Sequence, residues 1–456
     1  LRIPRKEGVI EMKPVSILGL AAIQCLASGS VWAAGYGLRE YSTTAMGAAY
    51  AGASASAGNA SFLPYNPASS AGVDSFDFSV GMISLLPTSD ATYSTALTSL
   101  GTAAGGSATQ DEFVKTAYVP SFGTRVRIND MLSAGLAVSA PWGLATGYDG
   151  GWAGRYYAQQ TRFVTLAITP TLAYEVSDNF TIAAGPRFQY AKGKLTNFVD
   201  IGTIGYVNSV PNSIPGGQDG DAVFTADDWG YGFVIGAMAD LSENVTVGVT
   251  YQSAIDHTMR GDLDFTLDSD GIGAILNGVA GILADTPATT DLTTPDKISA
   301  GARIGVTDQL DILLETDWTN WSHFDELRVV SANPFQPDDV TVKNWEGSWF
   351  VAIGAEYSLD GIWTFRGGFA YDQTPVPDST RNPRIPDADR YWLSLGVDVR
   401  ASDRMGFSVA YAHMFLPDQD ISMSAAVPAN MLRGYLEGRT SASANVLGVQ
   451  FNYQLP

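Results

Sequence analysis

The feature that most limits what this chain can become is the rhythm of its connections. Period-two alternation recurs along it. In FTIAAGPRFQY, Phe180, Ile182, Ala184, Phe188 and Tyr190 share one face, while Thr181, Arg187 and Gln189 share the other. NVTVGVTY, RYWLSLGVDVR and VLGVQFNYQLP repeat the pattern. Such alternation predicts strands with one apolar face, without saying whether that face meets a core or lipid. Counted from 73–86 through 131–141 and 228–241 to 444–455, the strands number fourteen. Tiny turns at 128–130, 177–179, 242–244, 307–309, 359–361 and 401–403 alternate with connections that are all longer. Short turns at one end and long loops at the other are the signature of an antiparallel transmembrane β-barrel. A soluble sandwich has no reason to gather its long connections on one side.

Charge and hydropathy agree. The 456 residues carry 26 Lys and Arg against 47 Asp and Glu, a net charge of −21, which argues against a nucleic-acid partner. Only 16% of residues are charged. After the first 34 residues no apolar run is long enough for a membrane helix, so a membrane form has to be a closed barrel. Residues 12–34, MKPVSILGLAAIQCLASGSVWAA, read as a secretory signal, which gives an expected leader at 1–34. Cys25, the only cysteine, falls inside it, so neither a disulfide framework nor a cysteine metal site is expected.

Several stretches resemble the FadL-type family of outer-membrane transporters for long-chain fatty acids and other hydrophobic compounds. They are GNASFLPYNPAS (58–69), WGYGF (229–233), YQSAIDHTMRG (251–261), DWTNWSHFDEL (317–327) and WTFRGGFAYDQTPVPDSTRNPRIPDADRYWLSLGVDV (363–399). The resemblance implies an all-β fold: a 14-stranded antiparallel transmembrane β-barrel over 73–456, with an N-terminal hatch (35–72) inside the lumen. Asn66, Pro67 and Ala68 would shape that hatch. It further implies capture of ligand in an outer apolar groove, transfer to an inner pocket, and sideways release through a break in the third strand, in or near 131–141.

A fatty acid needs an apolar groove and one or two cations. By position in the motifs, Lys192 and Lys343 are the expected pocket cations. Lys194 and Arg187 stand behind them, with Arg187 on the lumen side of its strand. The loop helix GIGAILNGVAGILADTP offers Ile272, Ile275, Leu276, Val279, Ile282 and Leu283 as groove residues, and the segment from Tyr36 to Met46 is a further expected lining of the route. Strand-end aromatics Trp229, Tyr231, Trp349, Tyr391 and Trp392 suit interfacial girdles. Strand glycines 135, 185, 236, 248, 354 and 396 would relieve crowding on the lumen side.

Against an enzyme, the three histidines, His257, His323 and His413, lie near no G-x-S-x-G elbow. DSDG at 268–271 lacks the remaining ligands of a calcium loop, so no cofactor and no metal site are expected. The expected partners are a long-chain fatty acid or other hydrophobic small molecule and outer-membrane lipid, with the protein a monomer. The competing readings are a porin-like channel for polar solutes and a hydrocarbon transporter of the same fold.

Overall fold

The protein is described here as a computed structural model that covers residues 35–455; the expected leader lies outside the described residues. Fourteen antiparallel strands form the barrel. They are β1 (Phe76–Leu97), β2 (Ala117–Asn129), β3 (Leu132–Ser139), β4 (Gln160–Ser177), β5 (Phe180–Asp200), β6 (Asp219–Ser242) and β7 (Val245–Gln252). The other half is β8 (Lys297–Thr307), β9 (Leu310–Thr319), β10 (Ser348–Leu359), β11 (Trp363–Asp372), β12 (Arg390–Arg400), β13 (Met405–Phe415) and β14 (Tyr435–Leu455). Each strand pairs with the next, and β14 closes onto β1 from Phe76–Leu455 to Leu97–Tyr435, which leaves the barrel no free edge to aggregate.

Alternation could not say what the apolar face meets; the structure does. Ile182, Phe188, Ile235, Val249, Ile353, Leu395, Phe407 and Val449 all point outward and exposed, as residues facing lipid do. Trp229, Tyr231, Trp349 and Tyr391 share that face, but Trp392 is fully buried inside and packs edge-on against Tyr50 at 5.7 Å. Adjacent residues on a strand point to opposite sides, so Tyr391 and Trp392 could not both belong to the girdle.

β1, β5, β6 and β14 run well past the expected ends, to 97 and 200 and back to 219 and 435. Above the membrane their outward residues are polar, as at Asp221, Thr225 and Asp227, so no apolar stripe marks them in the sequence.

Residues 35–72 run inside this wall as short turns, including α1 (Thr43–Met46). Asn66 ties the segment together: its Nδ2 donates to Ser54 O (2.7 Å) and to Ala237 O on β6 (3.0 Å), while its Oδ1 accepts from Ala68 N (2.9 Å) and caps the turn Pro67–Ala71. Arg125 adds a second tie, donating to Ala57 O (2.7 Å) and Ser69 O (2.6 Å) while paired with Asp77. Close approach explains most of the strand glycines. A Cβ on Gly236 would stand 2.2 Å from Asn66 Oδ1, and one on Gly248 1.9 Å from Ser54 O. Gly185 differs, because its Cβ would strike Pro170 O of the neighbouring β4 at 2.0 Å. It makes room for a strand, not for the hatch.

Candidate ligand-binding site and route

The long loops at the top of β5–β8 fold into a small cap. Helix α2 (Ile201–Val207) packs on α3 (Ile272–Ala280) through Ile201, Ile272 and Leu276, with Leu283 beside them. Beneath it lies a groove of about 530 Å³, lined by Phe198, Ile204, Val207, Phe265, Ile282 and Leu283 among others. Its size lies within the usual range for small-molecule sites. Of the six expected groove residues only Ile282 and Leu283 line it. Ile272 and Leu276 are spent on the packing of α2, while Ile275 and Val279 face solvent, Val279 at 85% exposure. The expected helix forms, but its buried face meets another helix.

Two arginines stand at the groove's inner side. Arg433 lines it and pairs with Asp339. Arg384 is buried and donates to Asn197 Oδ1, a groove atom, at 2.8 Å, and to Thr161 Oγ1 at 3.3 Å. No carboxylate pairs with Arg384 among the described residues. Lys343, 1% exposed, is close by. Its Nζ lies 5.9 Å from the Phe324 ring and 6.0 Å from the Trp345 ring, and it has no ion-pair partner among the described residues. Burial, with Arg384 and Arg433 adding repulsion, pushes the Lys343 ammonium down to about 7. Two buried cations without an ion-pair partner among the described residues are costly to keep, and only the Asp339 carboxylate, already paired with Arg433, offsets the charge of Arg384.

Deeper in, Tyr36 is ringed by Trp142, Phe163, Trp321, Phe324 and Trp345, with centroids 4.7 to 5.8 Å away. The Tyr36 hydroxyl and the indole nitrogens of Trp142 and Trp345 are buried without a hydrogen-bond partner among the described residues. Arg39, three residues along the chain from Tyr36, pairs with Asp317 (2.7 Å) and Asp372 (3.4 Å) and lies 3.5 Å over the Phe350 ring.

The third strand does break, at 140–142. β2 and β3 pair only as far up as Phe122–Val138. Above that point the hatch arm stands where β2 should: Leu38 N donates to Pro141 O (2.8 Å) and Gly143 N to Tyr36 O (2.8 Å). Two small cavities touch this spot. One, about 30 Å³, is lined by Leu38, Arg39, Pro141, Trp142 and Phe350. The other, about 10 Å³, is lined by Tyr41, Pro141, Val234 and Arg187. Arg187 is buried in the lumen and also lacks an ion-pair partner among the described residues.

Lys192 has to be withdrawn from the inner site. It shares the outward face of Phe188 and Tyr190 and is exposed, and Lys194 follows it outward. The parity that sends Arg187 inward sends both lysines out. Arg384, Arg433, Trp142 and Trp345 were missed. The signal for Arg384 was present in TRNPRIP, arginines in a proline-bounded turn of a chain short of cations.

The sequence pattern of the family described as outer membrane protein transport protein (OMPP1/FadL/TodX) matches residues 24–455. The chain belongs to the FadL/TodX family. Among its FadL-like relatives, a long-chain fatty acid transport protein of Escherichia coli O6:H1 is 29% identical over 453 residues, covering 95% of this chain and 97% of that protein. Outer membrane protein P1 of Haemophilus influenzae is 27% identical, with 95% and 98% covered. The crystal structure of a Pseudomonas aeruginosa FadL homologue superimposes with a TM-score of 0.84 at 25% identity, covering 92% of this chain and all (100%) of the other. The Pseudomonas putida toluene transporter TodX shares the fold at a TM-score of 0.67 and 16% identity, with 92% and 99% covered. The protein is thus a multi-pass outer-membrane β-barrel of a Gram-negative bacterium, of a fold that transports hydrophobic compounds.

Proposed function

We propose that this FadL-family barrel takes up long-chain fatty acids, or closely similar apolar molecules that end in a carboxylate. The ligand tail is captured in the groove under α2 and α3. Its carboxylate then passes to Arg384 and Lys343, and the tail enters the ring cage around Tyr36. Movement of the hatch arm away from Pro141 opens the wall between β2 and β3, and the ligand leaves sideways into the membrane, with Arg187 beside the exit as the last cation. The observation that carries this reading is the pair of buried cations, Lys343 and Arg384, with no carboxylate of their own. A hydrocarbon gives such a pair nothing to bind, whereas a carboxylate gains charge-assisted hydrogen bonds.

Binding of a fluorescent long-chain fatty acid to detergent-purified protein tests it, beside a neutral chain of equal length. Replacing Lys343 or Arg384 with Ala is expected to weaken fatty-acid binding about tenfold, ~1.4 kcal/mol, and to leave the neutral chain unaffected. Equal loss for both ligands, or for neither, overturns the carboxylate role. A second reading, transport of an aromatic hydrocarbon, is favoured by the ring cage itself, where edge-to-face contacts suit a flat apolar guest. Tight binding of toluene, undisturbed in the Lys343 variant, would select it.

A further inference from the structure

The described residues include five lysines, at 115, 192, 194, 297 and 343. Lys297 and Lys343 face the interior, Lys297 3.7 Å from Asp317. The other three stand together on the outside of the wall. Lys115 and Lys194 line one outward groove of about 480 Å³ with Gln160, Thr196, Asp149 and Asp221. Lys192 occupies the next outward position below Lys194 on β5. Arg162 lies directly across from Lys194 on β4. None of the three lysines makes an ion pair among the described residues, although Asp227 lies directly across from Lys192 on β6 and acidic residues outnumber basic ones 47 to 26. Lys115 Nζ reaches only a backbone oxygen, that of Glu112, at 2.8 Å.

Height along the wall says what these ammonium groups meet. The outward face of β5 is apolar from Phe180 to Tyr190 and turns cationic at Lys192. Those ten steps of about 3.3 Å each, on a strand tilted about 40°, rise about 25 Å, the height of the apolar band of an outer-membrane barrel. Rings mark its upper edge: Tyr190 lies 5.4 Å from Trp229, and Phe188 lies 5.9 Å from Tyr231. Lys192 and Lys194 therefore stand at the level of the headgroups on the long-loop side, the outer leaflet. Phosphate is the anion available there at fixed height, and lysine binds it as a point charge.

We propose that Lys115, Lys192 and Lys194, with Arg162 beside them, form a docking site for a phosphorylated glycolipid headgroup of the outer leaflet. The lysines hold phosphate, while Asp149, Asp221, Gln160 and Thr196 accept hydrogen bonds from sugar hydroxyls in the same groove. The site rests on the barrel's place in the membrane and not on the cargo, so it stands or falls separately from the fatty-acid reading.

Full-length protein in detergent is titrated with bisphosphorylated lipid A, with its dephosphorylated form and with inorganic phosphate, and retention is read by native mass spectrometry. The wild type is expected to retain the phosphorylated lipid at least tenfold better than the dephosphorylated one. The triple substitution K115Q, K192Q, K194Q should erase that preference, and K192R with K194R should keep it. Unchanged heat-modifiable migration of the triple variant establishes that it is folded. Equal retention of both lipids, or full retention by the triple variant, overturns the proposal. Inorganic phosphate that competes at the lipid's own concentration overturns it too, because the site would then read a free anion.

Discussion

Among the interruptions in the barrel wall's hydrogen-bond ladder, two are closed in different ways. Between β2 and β3, above Phe122 and Val138, the backbone of the hatch arm takes the place of a strand at Pro141 and Gly143. Between β6 and β7 the ladder stops at Val234–Gln252 and resumes only at Asp227–Arg260, in the continuation of β7 over Ile255–Thr266. There the wall closes on itself. Ser253 exchanges bonds with Phe233 (3.0 and 2.9 Å), and Ile255 and His257 pack over Gly230 and Gly232. Gln189 holds His257 at 2.9 Å and Thr294 at 3.1 Å. A seal made by a separate segment can leave when that segment moves. A seal made by the wall's own side chains cannot leave without the wall. On the proposed route the same kind of defect serves as a gate in one setting and is a plain irregularity in the other.

The largest effect should come from locking each seal covalently. The described residues contain no cysteine, so a G37C, W142C pair and a G232C, S253C pair each offer one new disulfide. Oxidising the first is expected to cut fatty-acid uptake by cells more than tenfold, restored by reductant, and oxidising the second to leave it unchanged. Equal block by both would erase the distinction. Next comes Asn66→Ala, which strips the donor from Ser54 O and Ala237 O. Each buried orphan costs about 1–3 kcal/mol, seen as a lower melting temperature and faster amide exchange in residues 35–72.

A pH titration sharpens the comparison from the ligand's side. The Lys343 ammonium is charged below about 7 and neutral above it. Fatty-acid affinity should therefore fall several-fold as pH rises from 6 to about 8.5. The dependence should vanish in Lys343→Ala, with isothermal calorimetry as the readout; a flat wild-type profile would remove Lys343 from the carboxylate site. The smallest effect is expected for His257→Gln at the side-chain seal. Gln can keep one polar contact, so stability should change by less than about 1 kcal/mol, with uptake unaltered.

Much of this was legible in the chain. Period-two patterning and the alternation of tiny and long connections give the barrel, its strand number and its orientation, because every spanning strand must face lipid on one side. The same parity, applied to every residue, would have sent Lys192 outward with Tyr190 and Trp392 inward behind Tyr391. Pro141 marks the weak point of β3, since it can donate no ladder bond. Its replacement partner is another matter: nothing in GYGLRE announces that Tyr36 and Leu38 will bond to it.

Loop residues carry no periodicity, and this is where sequence stops. Ile272 and Leu276 form an apolar stripe whichever surface they meet, and only the position of α2 made them packing residues. Lys343 stands out only by its place in a family motif, and Arg384 looks like an ordinary loop cation until the connections fold inward and strip both of water. The sequence by itself determined the wall, because the side that each strand residue faces is fixed by its place along the chain. Only the tertiary structure decided what stands inside it, because burial of a charge and the identity of a neighbour depend on segments hundreds of residues apart.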